Sequence, residues 1–240
     1  MKLARPDVFH PRIVLAGWPQ QIAGDGDDAG LVAALRRRGL HARWLSWDDP
    51  ETIRADLVIL RATRDYPDRL NEFLRWTRRV PSLLNPPEAI AWNVDTRYLR
   101  DLERANVPTL FGSTPAVGGH EHRAAAGKTA LVFFGGVASH GFTPGAAIDP
   151  DFQLWDLGRA ALEAAADQVG IGAPELLYAR VDVAGEPGDA RVVCLDLVAP
   201  SLGWAVLDRA TRVARQRQFV LCVESALERL GLGPFRHRGL

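Results

Sequence analysis

The sequence predicts an α/β protein that is built in two halves. In residues 10–112, short apolar segments alternate with segments whose apolar residues recur every three or four positions. That alternation is typical of a parallel sheet covered by helices. In residues 128–233, apolar segments are joined in pairs by glycine-containing turns, which favours a smaller α+β unit with antiparallel strands. Residues 113–127 are mostly small or polar, and we expect a linker there.

The first half is expected to contain five strands and three helices. The helices are indicated by apolar periodicity, as at Leu70 and Phe73. We expect Asp25, Asp27 and Asp28 to cap the first helix, because aspartate is favoured at helix amino termini. The predicted strands are 12–17, 42–47, 57–61, 82–85 and 108–111, and the predicted helices are 31–38, 67–79 and 95–106.

The second half is expected to contain two hairpins and two helices. Gly135-Gly136 is the predicted turn between strands at 129–135 and 137–142. Gly185-Glu186-Pro187-Gly188 is the predicted turn between strands at 177–183 and 192–198. The predicted helices are 156–170 and 207–230, and the glycines that follow the second helix are expected to end it.

Two acidic residues lie within the second hairpin. Asp182 follows Arg180 by two residues in its first strand, and Asp196 lies among aliphatic residues in its second strand. Burying a carboxylate costs free energy unless the group is paired. One interpretation is that both acids bind a divalent cation, since hard cations prefer carboxylate oxygens. The other is that Asp182 forms an ion pair with Arg180 or with a loop arginine.

Arg61 and Asp65 are the candidate site residues near the third strand of the first half. They lie at its carboxyl end, which is where open α/β sheets place their ligands. One interpretation is therefore that they contact a ligand. The alternative is a local ion pair in a surface loop, which would contribute little.

Composition excludes several classes of function. Equal numbers of basic and acidic residues, 29 of each, give no net charge at pH 7, so we expect neither nucleic acid nor an anionic membrane as a partner. Cys194 and Cys222 are isolated in apolar segments, which suits a reducing compartment better than a disulfide framework. The first residues lack a signal-peptide pattern and no apolar run reaches the length of a membrane span, so we expect a cytoplasmic protein.

Four motifs follow one another in the first half. They are Trp47-Asp48-Asp49-Pro50, Leu60-Arg61-Ala62-Thr63-Arg64-Asp65-Tyr66, Leu84-Asn85-Pro86-Pro87 and Trp92-Asn93-Val94-Asp95-Thr96-Arg97-Tyr98-Leu99. A Thr-Ala-Leu-Val-Phe-Phe hairpin follows them at 129–140. These motifs, their order and the hairpin resemble those of the ATP-grasp superfamily, in the glutathione synthetase-type subfamily of carboxylate–amine ligases that is widespread in bacteria. The resemblance implies a Rossmann-like pre-ATP-grasp half and a reduced ATP-grasp half.

The second hairpin resembles the metal-binding end of the same family, where acids on two strands hold the magnesium that bridges the phosphates of ATP. Asp182 and Asp196 match two of these ligand positions, whereas Cys194 and Ala199 stand where the family has acids. Thr96 stands where the family has a lysine that contacts the nucleotide. By the same resemblance, Mg²⁺ and ATP are the possible cofactors, and the remnant ligand-binding positions are Arg61, Asp65, Asn93, Asp95 and Arg180.

The interval between the halves is too short for a subdomain that the family carries there. In the family this subdomain supplies a second lysine and a glycine-rich flap over the phosphates. Here the interval 110–127 has 18 residues, whereas one βαβ unit needs ~30. Within it, Gly118-Gly119 lacks the following lysine of a phosphate loop. His120 and His122 either chelate a metal or belong to a solvated linker.

Isolated basic residues of the second half allow two interpretations each. Lys128, at the start of a predicted strand, either reaches a phosphate or is a solvated surface residue. The last predicted helix has an arginine-rich first half, which either holds a phosphate or an acidic partner or forms a solvated face. Its arginines are Arg209, Arg212, Arg215 and Arg217.

These departures from the family lead to three hypotheses. The first is a degenerate ATP-grasp protein without ligase activity or catalytic residues, which acts as a binding or regulatory module. Its open groove would expose Trp92, Phe133 and Phe134 to a protein partner or to a second copy. The second is an ATP- and Mg-dependent carboxylate–amine ligase whose nucleotide site is reduced or completed by a partner. The third is a ligand-binding α/β module that uses only the loops of the first sheet.

Overall fold

The computed structural model describes residues 10–24, 26–110 and 127–233. The strands are β1 (Arg12–Gly17), β2 (His41–Ser46), β3 (Leu57–Ala62), β4 (Leu83–Leu84), β5 (Lys128–Phe134), β6 (Val137–Thr143), β7 (Ala146–Ile148), β8 (Tyr178–Ala184) and β9 (Arg191–Asp196). The helices are α1 (Leu31–Arg37), α2 (Leu70–Thr77), α3 (Pro87–Asn93), α4 (Tyr98–Arg104), α5 (Phe152–Gln168) and α6 (Arg209–Arg229). None of the described helices combines the length and the apolar composition that crossing a bilayer requires.

The first sheet is parallel, with the strand order β2-β1-β3-β4. Its central strands consist almost entirely of apolar residues, because both of their faces are covered, either by helices or by the second half. In the register, Leu15 of β1 lies opposite Trp44 of β2 on one side and Ile59 of β3 on the other. This order places the carboxyl ends of β1 and β3 next to each other.

The second sheet is antiparallel, with the order β7-β6-β5-β8-β9. The β5–β6 hairpin turns at Gly135 and Gly136, whose φ angles of 56° and 79° lie in the left-handed region that glycine adopts without strain. Alternate residues of β5 enter different cores. Leu131 and Phe133 pack with α4 and α5, whereas Val132 and Phe134 pack with α6 and with residues of the first sheet.

Asn85, directly after β4, joins the two halves through its side-chain amide. Its Nδ2 donates to the carbonyl oxygens of Tyr178 at 2.9 Å and Leu197 at 2.8 Å. Its Oδ1 accepts from the backbone N–H of Leu177 at 2.7 Å. The side chain is fully buried, so one amide satisfies three backbone groups that water cannot reach.

Asn93, the last residue of α3, makes a second connection of the same kind. Its Nδ2 donates to the carbonyl oxygen of Leu195 at 2.9 Å, and its Oδ1 accepts from the N–H of Leu197 at 2.7 Å. The Tyr178 hydroxyl lies 2.7 Å from the carbonyl oxygen of Leu60 in β3. Buried polar contacts therefore fix the position of β8 and β9 relative to β3 and β4.

The α/β class, with a parallel sheet in the first half and an antiparallel sheet in the second, is confirmed. The helix predicted at 207–230 is α6, which spans Arg209–Arg229. Two elements were not predicted. One is the helix α3, which begins at Pro87, since proline is favoured at the first helical position. The other is β7, a three-residue edge strand.

The prediction that aspartates cap α1 is wrong. The N-cap is Gly30, with φ 86° and no side-chain cap. Asp27 and Asp28 instead bind residues far along the chain, because those partners also satisfy buried donors. Asp25 lies outside the described residues.

The strand predicted at 108–111 does not join the first sheet. Thr109 forms a single parallel bridge with Val192 of β9, and the N–H of Leu110 donates to the carbonyl oxygen of Val192 at 2.9 Å. The preceding Val107 is buried in the core of the second half, so the chain has already left the first sheet. Phe111 and the predicted linker at 113–127, except for Gly127, lie outside the described residues.

The prediction that three aromatic residues form an exposed apolar surface at the groove is wrong for two of them. Phe133 and Phe134 are fully buried, because β5 is a central strand with a packed layer on each face. Trp92 is half-buried, and its indole N–H donates to a carboxylate oxygen of Asp101 at 3.0 Å.

Asn85→Ala tests the joint between the halves. Each buried backbone group that loses its partner costs about 1–3 kcal/mol, so we expect the free energy of unfolding in urea to fall by about 3 kcal/mol or more. The matched control is Asn71→Ala, at an exposed position of α2, where we expect a change within about 0.5 kcal/mol. Equal effects of the two substitutions would contradict the role of Asn85.

Candidate ligand-binding groove

A groove of about 400 Å³ lies where the two halves meet. The carboxyl ends of β1 and β3 form one side, and the loop 199–206 after β9 forms the other. Gly24 in the loop after β1 has φ 71°, and a Cβ there would lie 3.1 Å from the Cβ of Ala62, so glycine permits this close approach. Residues that line the groove include Gly24, Asp28, Arg61, Arg64, Phe142 and Pro200.

Arg61 is the buried cation of this groove, with 3% of its surface exposed. Its Nε donates to Oδ1 of Asp28 at 3.0 Å, and its Nη2 donates to the carbonyl oxygen of Pro200 at 3.0 Å. Burial opposes the charge, but the neighbouring Asp28, Tyr178 and Asp27 together outweigh that effect and raise the pKa of Arg61 above its usual value. Arg61 is therefore a permanent positive charge.

Nη1 of Arg61 has no hydrogen-bond partner among the described residues. Other buried side-chain atoms share this property, but Arg61 alone among their residues lines the groove. A buried guanidinium donor without an acceptor costs free energy, and an anionic oxygen is the acceptor that suits it best. Nη1 therefore offers unused hydrogen-bonding capacity on a residue that lines the groove.

Asp27 fixes the opposite wall of the groove. Its Oδ2 accepts from the Ser201 hydroxyl at 3.0 Å and from the N–H of Leu202 at 2.9 Å, and its Oδ1 accepts from the N–H of Ala205 at 3.0 Å. A carboxylate that accepts several hydrogen bonds holds a loop strongly. The loop 199–206 is therefore held in place by the first half.

His140 of β6 supports the same loop from below. Its Nε2 lies 2.7 Å from the carbonyl oxygen of Leu202, and its Nδ1 lies 3.0 Å from the hydroxyl of Ser139. Burial lowers the pKa of His140 to about 4, so the ring is neutral at neutral pH. Since a carbonyl oxygen only accepts, Nε2 carries the proton and donates it to Leu202.

Arg180 and Asp182 on β8 form a second buried ion pair. Arg180 Nε donates to Oδ1 of Asp182 at 2.6 Å and Nη2 donates to Oδ2 at 3.0 Å, with both side chains at most 4% exposed. Of the two interpretations that the sequence allows for Asp182, the structure contains the ion pair with Arg180. Both carboxylate oxygens are occupied by this pair.

Asp196 and Cys194 lie on β9 beside this pair. In the register, Asp196 is opposite Arg180 and Cys194 is opposite Asp182. Oδ1 of Asp196 accepts from the N–H of Val198 at 2.9 Å. Burial raises the pKa of the Cys194 thiol, so it stays protonated and is a poor metal ligand.

These residues do not fit a magnesium ion as they stand. Magnesium prefers several oxygen ligands around one position. Within residues 10–24, 26–110 and 127–233, no three His, Cys, Asp or Glu side chains form a group that could hold a metal ion. His120 and His122 lie outside the described residues.

The other predicted site residues lie away from the groove's lining. Asp65 accepts from the indole N–H of Trp47 at 2.8 Å and pairs with Arg69 at 3.2 Å. Asp95 pairs with Arg97 near the start of α4. Lys128 is half-buried at the first position of β5, and Asn93 lies in the joint described above.

Sequence reasoning singled out Arg61, which lines the groove, but missed other residues around it. Asp27 and Asp28 were expected as helix caps, and Arg64 and Ser201 were not singled out as site residues. The glycines around Asp27 and Asp28 were the available signal, because closely spaced glycines near acids at a strand's carboxyl end are typical of a binding loop.

Comparisons with known proteins agree with the fold. Residues 13–85 match a family model described as "D-cycloserine synthetase DcsG, N-terminal domain". The cycloserine biosynthesis protein DcsG of Streptomyces lavendulae is 31% identical over 99 residues, which are 39% of this chain and 33% of that protein. The match thus spans about a third of the length of this curated relative.

Solved structures of ligases also resemble this chain. The crystal structure of D-cycloserine synthetase DcsG has a TM-score of 0.72 at 21% identity and covers 91% of this chain and 99% of its own. The structure of D-alanine–D-alanine ligase from Bacillus anthracis, complexed with ATP, has a TM-score of 0.61 at 12% identity. The match covers 92% of this chain and 98% of that ligase. The structure of the ATP-grasp ligase PsnB with Mg and ADP has a TM-score of 0.55 at 17% identity, and the match covers 88% of this chain and 97% of PsnB.

Asp182→Asn tests the buried ion pair. It leaves the Arg180 charge buried without its partner, and breaking such a pair typically costs about 3–5 kcal/mol. Urea unfolding should show a loss of that size. The control is Asp156→Asn, which breaks an exposed pair with Arg159 and should cost at most about 1 kcal/mol. A loss no larger than the control's would show that the pair contributes nothing.

His140 predicts a specific pH dependence of stability. The folded pKa is depressed from 6.5 to about 4, so the unfolded chain binds a proton first as the pH falls. Stability should therefore fall between pH 6.5 and pH 4, by about 3 kcal/mol at most from this residue.

The measurement is urea unfolding across that pH range for wild type and His140→Gln, which does not titrate and retains a donor. The difference in stability between the two should narrow as the pH falls. His41→Gln, at an exposed position, should retain the wild-type slope. Parallel profiles of wild type and His140→Gln would contradict the assignment.

Proposed function

We propose that this chain, which has the fold of the ATP-grasp ligases, binds a small carboxylate-bearing compound in the groove beside Arg61. The observation that carries the proposal is the unpartnered Nη1 of Arg61, a buried donor on a residue that lines the groove. A ligand oxygen on Nη1 would form a charge-assisted hydrogen bond in a place shielded from water.

The dimensions of the groove support a small ligand. Its volume of about 400 Å³ lies near the lower end of the range for small-molecule sites. Arg64 adds a second positive residue to the lining, and Phe142 and Val206 add apolar surface. A compound with one anionic group and a short body fits this combination.

The names of the similar proteins narrow the choice of ligand. One of the solved structures is named for D-alanine, a small amino acid that carries a carboxylate, and another for D-cycloserine, a cyclic amino-acid derivative that does not. We therefore propose a small amino-acid-type carboxylate as the ligand. This identity rests on the comparison and on the single free donor of Arg61.

We further propose a binding or regulatory role and no ligase activity for the chain alone. Forming an acylphosphate from ATP requires metal ions and positive side chains around the transferred phosphoryl group. Arg180 is committed to Asp182, and Thr96 stands at the position of a nucleotide lysine in the family that the motifs resemble. A partner that supplies the missing groups would be needed for ligation.

Calorimetric titration with D-alanine, L-alanine and acetate tests the proposed site. We expect at least one of these probes to bind the wild type. Arg61→Lys retains the charge but removes Nη1, so binding should weaken by at least about tenfold, since a hydrogen bond to a charged group contributes about 1.5–3 kcal/mol. The control Arg97→Lys changes an exposed arginine that pairs with Asp95 and should bind as wild type does.

A second variant separates loss of binding from loss of fold. Ala199→Leu adds bulk to the groove's lining without altering Arg61 or Asp28, and it should also lose binding while its circular-dichroism melting curve shows a folded protein. Failure of every carboxylate to bind the wild type, or unchanged binding in both variants, would refute the proposed site.

The ligase alternative has its own readout. We expect titration with ATP and Mg²⁺ to give no heat. The melting temperature should not rise either, since a rise would show that ATP binds the folded protein. Micromolar binding of ATP that is lost in Asp182→Asn would instead support a working nucleotide site at β8 and β9.

A further inference from the structure

We propose that copies of this chain associate head to tail, with an acidic segment of one copy on a basic helix face of the next. The acidic segment is 148–152, which reads Ile-Asp-Pro-Asp-Phe and links β7 to α5. The basic helix face is the outer side of α6, formed by Arg209, Val213, Arg217 and Leu221, which recur every four residues.

The acidic segment presents an exposed aromatic ring next to two carboxylates. Phe152 is 68% exposed, more than any other large apolar residue of the described chain, and Ile148 is 36% exposed. Asp149 and Asp151 are exposed on either side of Pro150. Asp151 also accepts from the N–H of Gln153 at 2.8 Å as the N-cap of α5, which fixes the segment's shape.

The basic helix face has the complementary chemistry. Val213 and Leu221 are 52% and 44% exposed, and with Arg217 they recur every four residues, so they share one side of α6. No carboxylate occurs between Arg209 and Glu224. Aliphatic side chains among arginines suit a partner that brings both apolar surface and carboxylates.

The two surfaces cannot meet within one molecule. Leu154 and Ala161 of α5 pack on one face of the second sheet, with Phe133. Phe219 of α6 packs on the opposite face, with Phe134. The contact is therefore between different surfaces of different copies, which generates head-to-tail assembly and not a symmetric dimer.

Several observations favour a second copy over a nucleic acid. The exposed Val213 and Leu221 gain nothing from a phosphate backbone, and Glu224 and Glu228 at the far end of α6 would repel one. Zero net charge removes long-range repulsion between copies. The contact surfaces are small, so the association is weak and salt-sensitive.

Sedimentation velocity over a range of protein concentrations tests the proposal. At low salt the average mass of the wild type should rise with concentration, and at high salt it should return to that of a monomer. Phe152→Ala should weaken self-association by about tenfold. The control is a variant with Glu163→Lys and Asp167→Ser, at exposed positions of α5 outside the acidic segment. It changes the net charge by as much as the double substitution of Asp149 and Asp151 described below, and it should leave association intact.

A charge-swap experiment identifies the two surfaces. The first variant carries Arg209→Glu and Arg217→Glu, and the second carries Asp149→Lys and Asp151→Ser, which retains a capping side chain. Each variant alone should remain a monomer, and an equal mixture should associate again, because the mixture restores opposite charges at the contact.

Three outcomes would overturn the proposal. In the first, the wild type stays monomeric at every concentration. In the second, each charge-swap variant alone associates as the wild type does. In the third, the mixture of the two variants remains monomeric. Binding of a nucleic acid oligomer by a wild type that stays monomeric would assign the basic helix face to that partner instead. Circular dichroism establishes that each variant is folded.

Discussion

The side-chain amides of Asn85 and Asn93 form the constraint on which the rest of this structure depends. Leu177 and Leu197 lie just outside β8 and β9, so their backbone groups need hydrogen-bond partners from elsewhere. An asparagine amide offers a donor and an acceptor in the geometry of a peptide group, and it therefore serves as such a partner. Because both asparagines belong to the first half, they set the position of β8 and β9, and with it the side of the groove that follows β9.

The two buried ion pairs next to this joint have different chemical consequences. Arg180 donates twice to Asp182, so each oxygen of that carboxylate already accepts a hydrogen bond. Arg61 shares its donors between Asp28 and a backbone carbonyl, and its Nη1 remains without a partner among the described residues. Removing water from a charged group is costly in both cases. The difference is that the charged groups of the first pair satisfy each other, whereas the second pair leaves Nη1 unsatisfied on a residue that lines the groove.

Local patterns predicted the elements well and the long-range contacts poorly. The glycines at 135 and 136 and the apolar run before them predicted the β5–β6 hairpin, because turn chemistry and strand pattern are properties of neighbouring residues. Asp27 was predicted as a helix cap, yet its partners Ser201 and Leu202 lie 174 and 175 residues further along the chain. Asn93 was expected at a ligand and lies in the joint. A polar residue's type shows that it needs partners, but only the folded chain shows which ones it has.

The groove's position at the joint links binding to stability. A ligand oxygen on Nη1 would connect β3, which carries Arg61, to the loops that Asp28 and Pro200 already tie to it. Without a ligand, the unused donor costs on the order of 1–3 kcal/mol, and the surrounding hydrogen bonds at Asn85, Asp27 and His140 hold it in place nonetheless. Several buried donors of the described residues lack a partner, and Nη1 of Arg61 is the one that belongs to a residue lining the groove. An unpaired donor that its surroundings hold rigidly in place is the arrangement expected of a preorganised binding group.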